Sequence, residues 1–388
     1  MTAARVLLVL ALVLSPAAAR AVDYQIQVIA EFPASALVVG ESTSINEIGQ
    51  VGVLVSRIDP IASTFLYDLY RGDGQTPVVA VATDIDGFSQ AGASSNSSID
   101  ASGAVYVTGT APAAGPAGVL AADGVTTTAR VPLSASLYNF IMHDSNDAGQ
   151  VVFIAGSLAG FTMQRREANG DLSPVAAHGA GGILSLGGYQ IAINEAGTVA
   201  SFIQFDDDTR AIGRGVPGAY GAVATQGPGF VPQQYFMDLD RFGSVVFLAT
   251  ADGGPTGGAL YTTVGGKFVD SAGPFANFLN AAFSENGRLV FQANRDGPDV
   301  STTGGIYTGA DSVAHKVLAV GDAYAGSTVS RILLGDINDA GQIAFFAEVM
   351  DGRDFVLRAD PVPEPRAALG GLVALGALAH ASRRGGRR

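Results

Sequence analysis

The side chains able to carry chemistry are few and scattered in this 388-residue chain. It has no cysteine, which excludes a disulfide framework, a thiolate metal site and a Cys nucleophile. The four histidines, His143, His178, His315 and His380, form no close pair and no H-E-x-x-H, so no zinc site is assigned. One acidic run, Asp206-Asp207-Asp208, offers oxygen ligands suited to Ca²⁺. The competing reading is a solvated loop tip, and neither a metal nor a cofactor is assigned. Glutamate, the usual acid of a glycosidase, is confined to eight positions: Glu31, Glu41, Glu47, Glu167, Glu195, Glu285, Glu348 and Glu364. No G-x-S-x-G elbow surrounds any serine, and the pairs Gly181-Gly182, Gly187-Gly188 and Gly265-Gly266 lack the strand-then-helix setting of a nucleotide loop. Tyr67, Tyr70 and Arg71 could face a sugar, but Tyr at strand positions more commonly packs. No catalytic residue is assigned.

The elements that would have to position such groups are more legible. Glycine takes 51 positions and lysine only two, Lys267 and Lys316. Asp far outnumbers Glu, a bias toward turns and away from helices. One short motif recurs seven times, most clearly at Ile45-Asn46-Glu47-Ile48-Gly49, Ile193-Asn194-Glu195-Ala196-Gly197 and Ile337-Asn338-Asp339-Ala340-Gly341. The other copies pair Asp100 with Gly103, Asn146 with Gly149, Asp240 with Gly243 and Ser284 with Gly287. The seven glycines lie 44 to 54 residues apart, about 49 on average. Asn, Asp or Ser followed three residues later by Gly is the preference of a type I turn with a left-handed fourth residue, so each copy predicts a tight hairpin. Several glutamates fall at the variable second position, where a solvent-facing role is the simplest expectation. The following residues alternate, as in Val151, Phe153 and Ala155, which predicts strands.

Four short strands in each of seven units predict an all-β, seven-bladed β-propeller over residues 22–360. After the seventh hairpin only one strand remains, Asp354 to Arg358. Tyr24 to Ala30 is therefore expected to complete the last blade and close the ring. In sequence the body resembles a bacterial surface family of tandem N-x-x-G-x-x-x-A-F repeats with varied C-terminal anchors. Asn338, Gly341, Ala344 and Phe345 match best, whereas the Asp100 copy has Tyr106 in place of Phe. The family implies no defined catalysis. Ser145 to Phe153 also resembles the Asp-box hairpin of sialidases, but that box carries a Trp and the chain has none.

Both ends read as sorting signals. Residues 1–21 combine Arg5, an apolar run from Val6 to Leu14 and an Ala19-Arg20-Ala21 site, the pattern of a secretory signal peptide. Residues 361–388 hold Val362-Pro363-Glu364-Pro365, an apolar stretch, and a basic end with Arg383, Arg384, Arg387 and Arg388. This tail resembles the PEP-CTERM sorting signal of Gram-negative bacteria. That resemblance implies transient membrane insertion through a short helix, cleavage by an exosortase-type membrane protease, and delivery to the cell surface or exopolysaccharide matrix. The formal charge is −13, and the segment between the two signals carries 15 basic and 34 acidic residues. Such a body lacks the basic face nucleic acid requires. The expected function is a non-enzymatic binding or structural propeller partnered by exopolysaccharide or envelope proteins. The alternative is a glycoside hydrolase or lyase with acidic residues gathered at the propeller axis.

Overall fold

The computed structural model describes residues 22–33, 38–58, 65–86, 97–110, 117–132, 139–157, 160–251, 258–295 and 304–363. Both proposed sorting segments fall largely outside them, including Ala19, Ala21, Glu364, Pro365 and the terminal arginines; Val362 and Pro363 are described. The chain is an all-β, seven-bladed propeller. Among the described residues the single helical turn is Ala180–Gly182, and no helix is long and apolar enough to cross a membrane.

Each blade has four antiparallel strands with the first innermost, and blade 7 adds the two-residue strand Ala323–Tyr324 beside Ser327–Ile337. Blade 1 comprises Val38–Ile45, Val51–Ile58, Phe65–Gly72 and Val79–Asp86, and blade 2 comprises Ser98–Ile99, Val105–Thr110, Ala117–Ala122 and Thr127–Pro132. Blade 3 runs from Asn139–Ser145 to Leu172–Ala177, blade 4 from Ile183–Ile193 to Ala219–Thr225, blade 5 from Val231–Leu239 to Gly266–Asp270, and blade 6 from Asn277–Phe283 to Lys316–Ala319. Blade 7 takes Ser327–Ile337, Ile343–Val349 and Asp354–Pro361 from the end of the chain. Its outer strand is Tyr24–Phe32, paired antiparallel with Asp354–Pro361. This pairing closes the ring and covers what would otherwise be an open strand edge.

The core divides into seven apolar clusters, one at each joint between neighbouring blades. The second strands explain this arrangement. Val151, Phe153 and Ala155 pack toward blade 2, while Val152 and Ile154 between them pack toward blade 4. Their period of two separates one neighbour from the other, rather than core from solvent, because a radial sheet is covered on both faces.

The seven motif turns share one geometry. In each the glycine N–H donates to the carbonyl of the first residue, at 2.8 to 3.0 Å, and the glycine φ lies between 74° and 83°. Asn at the first position has two tasks. Its Oδ1 accepts the N–H four residues on, and its Nδ2 donates to the corresponding carbonyl of the next blade: Asn46 to Asp100, Asn146 to Asn194, Asn194 to Asp240 and Asn338 to Asn46. Arginines make a second tie. Arg71, Arg165, Arg214 and Arg358 donate to the turn-glycine carbonyls of the next blades, Gly103, Gly197, Gly243 and Gly49, and Arg288 reaches Ala340. Much of the basic complement is thus structural.

Candidate functional site

The inner strands and their turns enclose an axial cavity of about 540 Å³. Its floor is made from the seven second positions of the turns, four of which, Glu47, Asp147, Glu195 and Glu285, line the cavity. Five are acidic, Glu47, Asp147, Glu195, Glu285 and Asp339, and they engage one another's backbone around the axis. Glu195 accepts the Asp147 N–H at 2.6 Å and Glu285 accepts the Glu195 N–H at 2.8 Å. Asp339 accepts from Asn286 at 2.6 Å, and Glu47 accepts from Asp339 at 3.0 Å. The Glu47 N–H serves Asp147, which completes the circle. The remaining second positions are Ala101 and Arg241, the latter lying over its neighbour Phe242. Glu47 and Glu195 are exposed as expected, and their carboxylates also hold neighbouring turns together.

Above the floor lies a second acidic tier. The residue two positions before each motif reads Ser44, Ser98, Asp144, Ala192, Asp238, Ala282 and Asp336, placing aspartate in blades 3, 5 and 7. Each aspartate accepts its own following N–H and one from the next blade. Asp144 takes Ser145 and Ile193, Asp238 takes Leu239 and Phe283, and Asp336 takes Ile337 and Ile45. They are recessed in the fold but retain some surface on the cavity.

Burial dominates their titration. It raises Asp144 and Asp336 to about 7 against the opposing backbone hydrogen bonds, and raises Asp238 well above the carboxylate range with added repulsion from Asp336. At the floor burial takes Glu285 to about 7 and, with Glu195 adjacent, Asp147 to about 6. His143 also lines the cavity. Burial lowers its pKa to about 4, so the ring is neutral at pH 7, with Nδ1 2.9 Å from Thr108 Oγ1. Arg331 is the sole basic side chain among the lining residues. The cavity therefore favours cationic or neutral hydrogen-bonding ligands over anions.

The residues singled out in the sequence are distributed unevenly about this site. The turn residues build its floor. Asp206, Asp207 and Asp208 instead form a hairpin tip, where Asp207 accepts the Thr209 N–H at 2.9 Å and Asp208 the Gln204 side chain. No three His, Cys, Asp or Glu side chains gather as a metal site among the described residues. Arg71 is engaged with Gly103, and Tyr70 meets the Phe32 ring edge-on at 5.6 Å between centroids, so this group serves packing. Sequence reading missed the aspartate tier, although aligning the seven motifs and reading two positions back exposes it as a column.

No protein-family model matches the chain, and no curated protein matches its sequence. Similarity is found in fold. An oligogalacturonate lyase in complex with manganese aligns with TM-score 0.50 and 11% identity, over 89% of this chain and 97% of that one. The polysaccharide lyase Uly1 aligns with TM-score 0.48 and 9% identity, over 84% and 90%. Regucalcin from Agrobacterium tumefaciens, a calcium-binding protein, gives TM-score 0.39 and 13% identity, over 72% and 90%. At 11% identity the likeness to the oligogalacturonate lyase shows the fold alone and leaves activity to the site.

Proposed function

We propose that this chain is an exported binding propeller of the cell surface or extracellular matrix, which takes its ligand at the axial cavity without transforming it. The observation supporting this reading is how the axial carboxylates are used. A glycosidase needs an acid and a base free to exchange protons with substrate. Here Asp144, Asp238 and Asp336 each bind two backbone N–H groups, and the floor acids bind the turns beside them. Acids held in this way fix the channel's shape.

Export rests on the two terminal signals. The precursor inserts its C-terminal helix transiently, an exosortase-type protease removes the tail near Val362-Pro363-Glu364-Pro365, and the body reaches exopolysaccharide or envelope proteins outside. Mass spectrometry of surface-released protein tests the processing: a C-terminus near Pro363 is expected, and Arg388 still attached in cells that possess an exosortase refutes it. A glycan array with a parallel envelope pull-down tests binding; the reading fails if Glu285→Gln leaves every ligand found unaffected.

A second reading, a glycoside hydrolase or lyase at the axis, is favoured by one atom. Glu285 Oε2 has no hydrogen-bond partner, and its carboxyl, raised to about 7, retains a proton near neutral pH as a general acid requires. Release of new reducing ends or unsaturated uronides from candidate polysaccharides, abolished by Glu285→Gln, would establish it. Absence of turnover between pH 5 and 8 supports binding alone.

A further inference from the structure

Each blade ends in two turns on the same face of the ring, because its four strands alternate in direction. One is the motif turn between the first and second strands, and the other is the outer hairpin between the third and fourth. Among the described residues six large apolar side chains are 69–92% exposed, and five of them stand on this turn face. Ile48 and Phe242 occupy the motif turns of blades 1 and 5. Val125, Val264 and Val313 lie in the outer hairpins of blades 2, 5 and 6. The sixth, Met350, joins Ile343–Val349 to Asp354–Pro361 at the opposite end of blade 7. The Arg241 guanidinium lies 4.8 Å from the centroid of the Phe242 ring, so this tip sets a cation beside an apolar wedge. A single exposed valine needs no explanation, but five tips raised at one end of the ring, on both sides of its axis, give that end an apolar contact plane.

The chain also leaves the ring on this face. Asp354–Pro361 runs toward it, and the Val362 N–H donates to the Asp23 carbonyl at 2.8 Å, so both ends of the described chain meet there. Beyond Pro363 only Glu364, Pro365 and Arg366 precede the apolar stretch that starts at Ala367. Four extended residue steps from Pro363 to Ala367 cover about 14 Å, of which a headgroup layer takes about 5–8 Å. If that stretch enters a bilayer, the turn face is held within about a nanometre of the lipid surface. We propose that the turn face rests on a bilayer of zwitterionic lipid, with Ile48, Val125, Phe242, Val264 and Val313 dipping to the boundary between headgroups and acyl chains and the ring axis upright. Anionic lipid fits this face poorly, because Asp73, Asp123 and Asp311 in the outer hairpins and the acids of the motif turns point the same way. This inference rests on the C-terminal segment being a membrane-inserting tail.

The chain has no tryptophan, so a single introduced Trp reports on its own position. Val125→Trp, Phe242→Trp, Val313→Trp, Met350→Trp and, in the tail, Leu372→Trp are made in the full chain and incorporated into phosphatidylcholine vesicles with and without bromine on the acyl chains. Melting temperatures establish that each variant is folded. Bromine should quench Leu372→Trp, quench the three turn-face positions about twofold with emission shifted to the blue, and leave Met350→Trp unchanged. Replacing part of the lipid with phosphatidylglycerol should weaken quenching at the turn face and spare Leu372→Trp. If Leu372→Trp is quenched while the turn-face positions respond no more than Met350→Trp, the bilayer contact falls and the tail reading stands. Quenched tips with Leu372→Trp silent keep the contact and refute the tail; if no position is quenched, both fall. Blue-shifted emission at the tips before lipid is added, strengthening with protein concentration, assigns the face to a second copy of the chain and overturns the bilayer.

Discussion

The joint that closes the ring, between blades 7 and 1, and the joint between blades 2 and 3 derive from the same repeat but are held differently. At the closure Asn338 donates to Asn46, Asp336 accepts from Ile45, and Glu47 accepts from Asp339. Arg358, 6% exposed, binds the carbonyls of Gly49 and Asp73, Gln27 Oε1 and Asp360. Between blades 2 and 3 the equivalent residue is Asp100, which has no donor to offer. Its Oδ2 instead accepts from the Tyr106 hydroxyl at 2.9 Å within its own blade. Side-chain ties across this joint are Ser98 to Ser145 at 2.7 Å and Thr108 to His143, beside an apolar cluster that includes Tyr106 and Phe153. The difference follows residue type: continuous joints such as that between blades 1 and 2 keep the ties of the closure through Asn46 and Arg71, whereas the joint after Asp100 lacks the Asn donor and leans more on apolar packing.

The largest test of this contrast is Arg358→Ala. It should cost about 3–5 kcal/mol in chemical denaturation, because it removes a buried cation and leaves its acceptors unpaired. A loss no greater than that of Ser98→Ala, expected near 1 kcal/mol, would break the comparison.

A pH effect of about 2 kcal/mol for each buried aspartate should follow between pH 5 and 8. Asp144, Asp336 and Glu285 have folded pKa values raised to about 7. The stability they permit is fully present below their ordinary range near 4 and is lost as pH rises through 7, so the protein should melt at higher temperature at pH 5 than at pH 8. Below pH 4 the exposed turn residues Asp73, Asp123 and Asp207, whose pKa is lowered by hydrogen bonding, act in the opposite direction. Asp336→Asn should flatten the slope between pH 5 and 8, and Ser98→Ala should leave it unchanged.

Two turn glycines of one motif and similar φ then separate backbone cost from crowding. A Cβ at Gly49 would stand 2.6 Å from Gln342 Oε1 and 3.3 Å from Arg358, while at Gly149 it meets nothing within 4 Å. Gly49→Ala should therefore cost about 2–3 kcal/mol and Gly149→Ala about 1, the left-handed backbone alone. Equal losses would show that the Gln342 and Arg358 side chains yield freely. The smallest expected effect is at Asp100. Tyr106→Phe should cost about 1 kcal/mol by orphaning Oδ2, and adding Asp100→Asn should recover most of it by restoring the donor found in other blades.

Local rules made the turns readable. Asn or Asp followed by Gly three residues later, and apolar alternation after it, depend on backbone geometry within a few residues, and their regular recurrence pointed to a propeller. The exchange of Phe for Tyr106 was visible as a departure from the repeat, but its pairing with Asp100 was not. Nor could composition reveal that Arg71 and Arg358 reach turn carbonyls in the next blade, since those contacts span 32 and 309 residues.

The sequence by itself determined the repeat, the hairpin at each copy, the strand content and the need for Tyr24 to Ala30 to complete the last blade, because these follow from side-chain period and φ preference. Only the tertiary structure decided which acids meet. Glu47, Asp147, Glu195, Glu285 and Asp339 lie dozens of residues apart along the chain, yet sevenfold closure carries them to one axis. There burial and mutual repulsion, neither of which exists in an isolated repeat, raise the pKa of Glu47, Asp147 and Glu285, and burial raises that of Glu195.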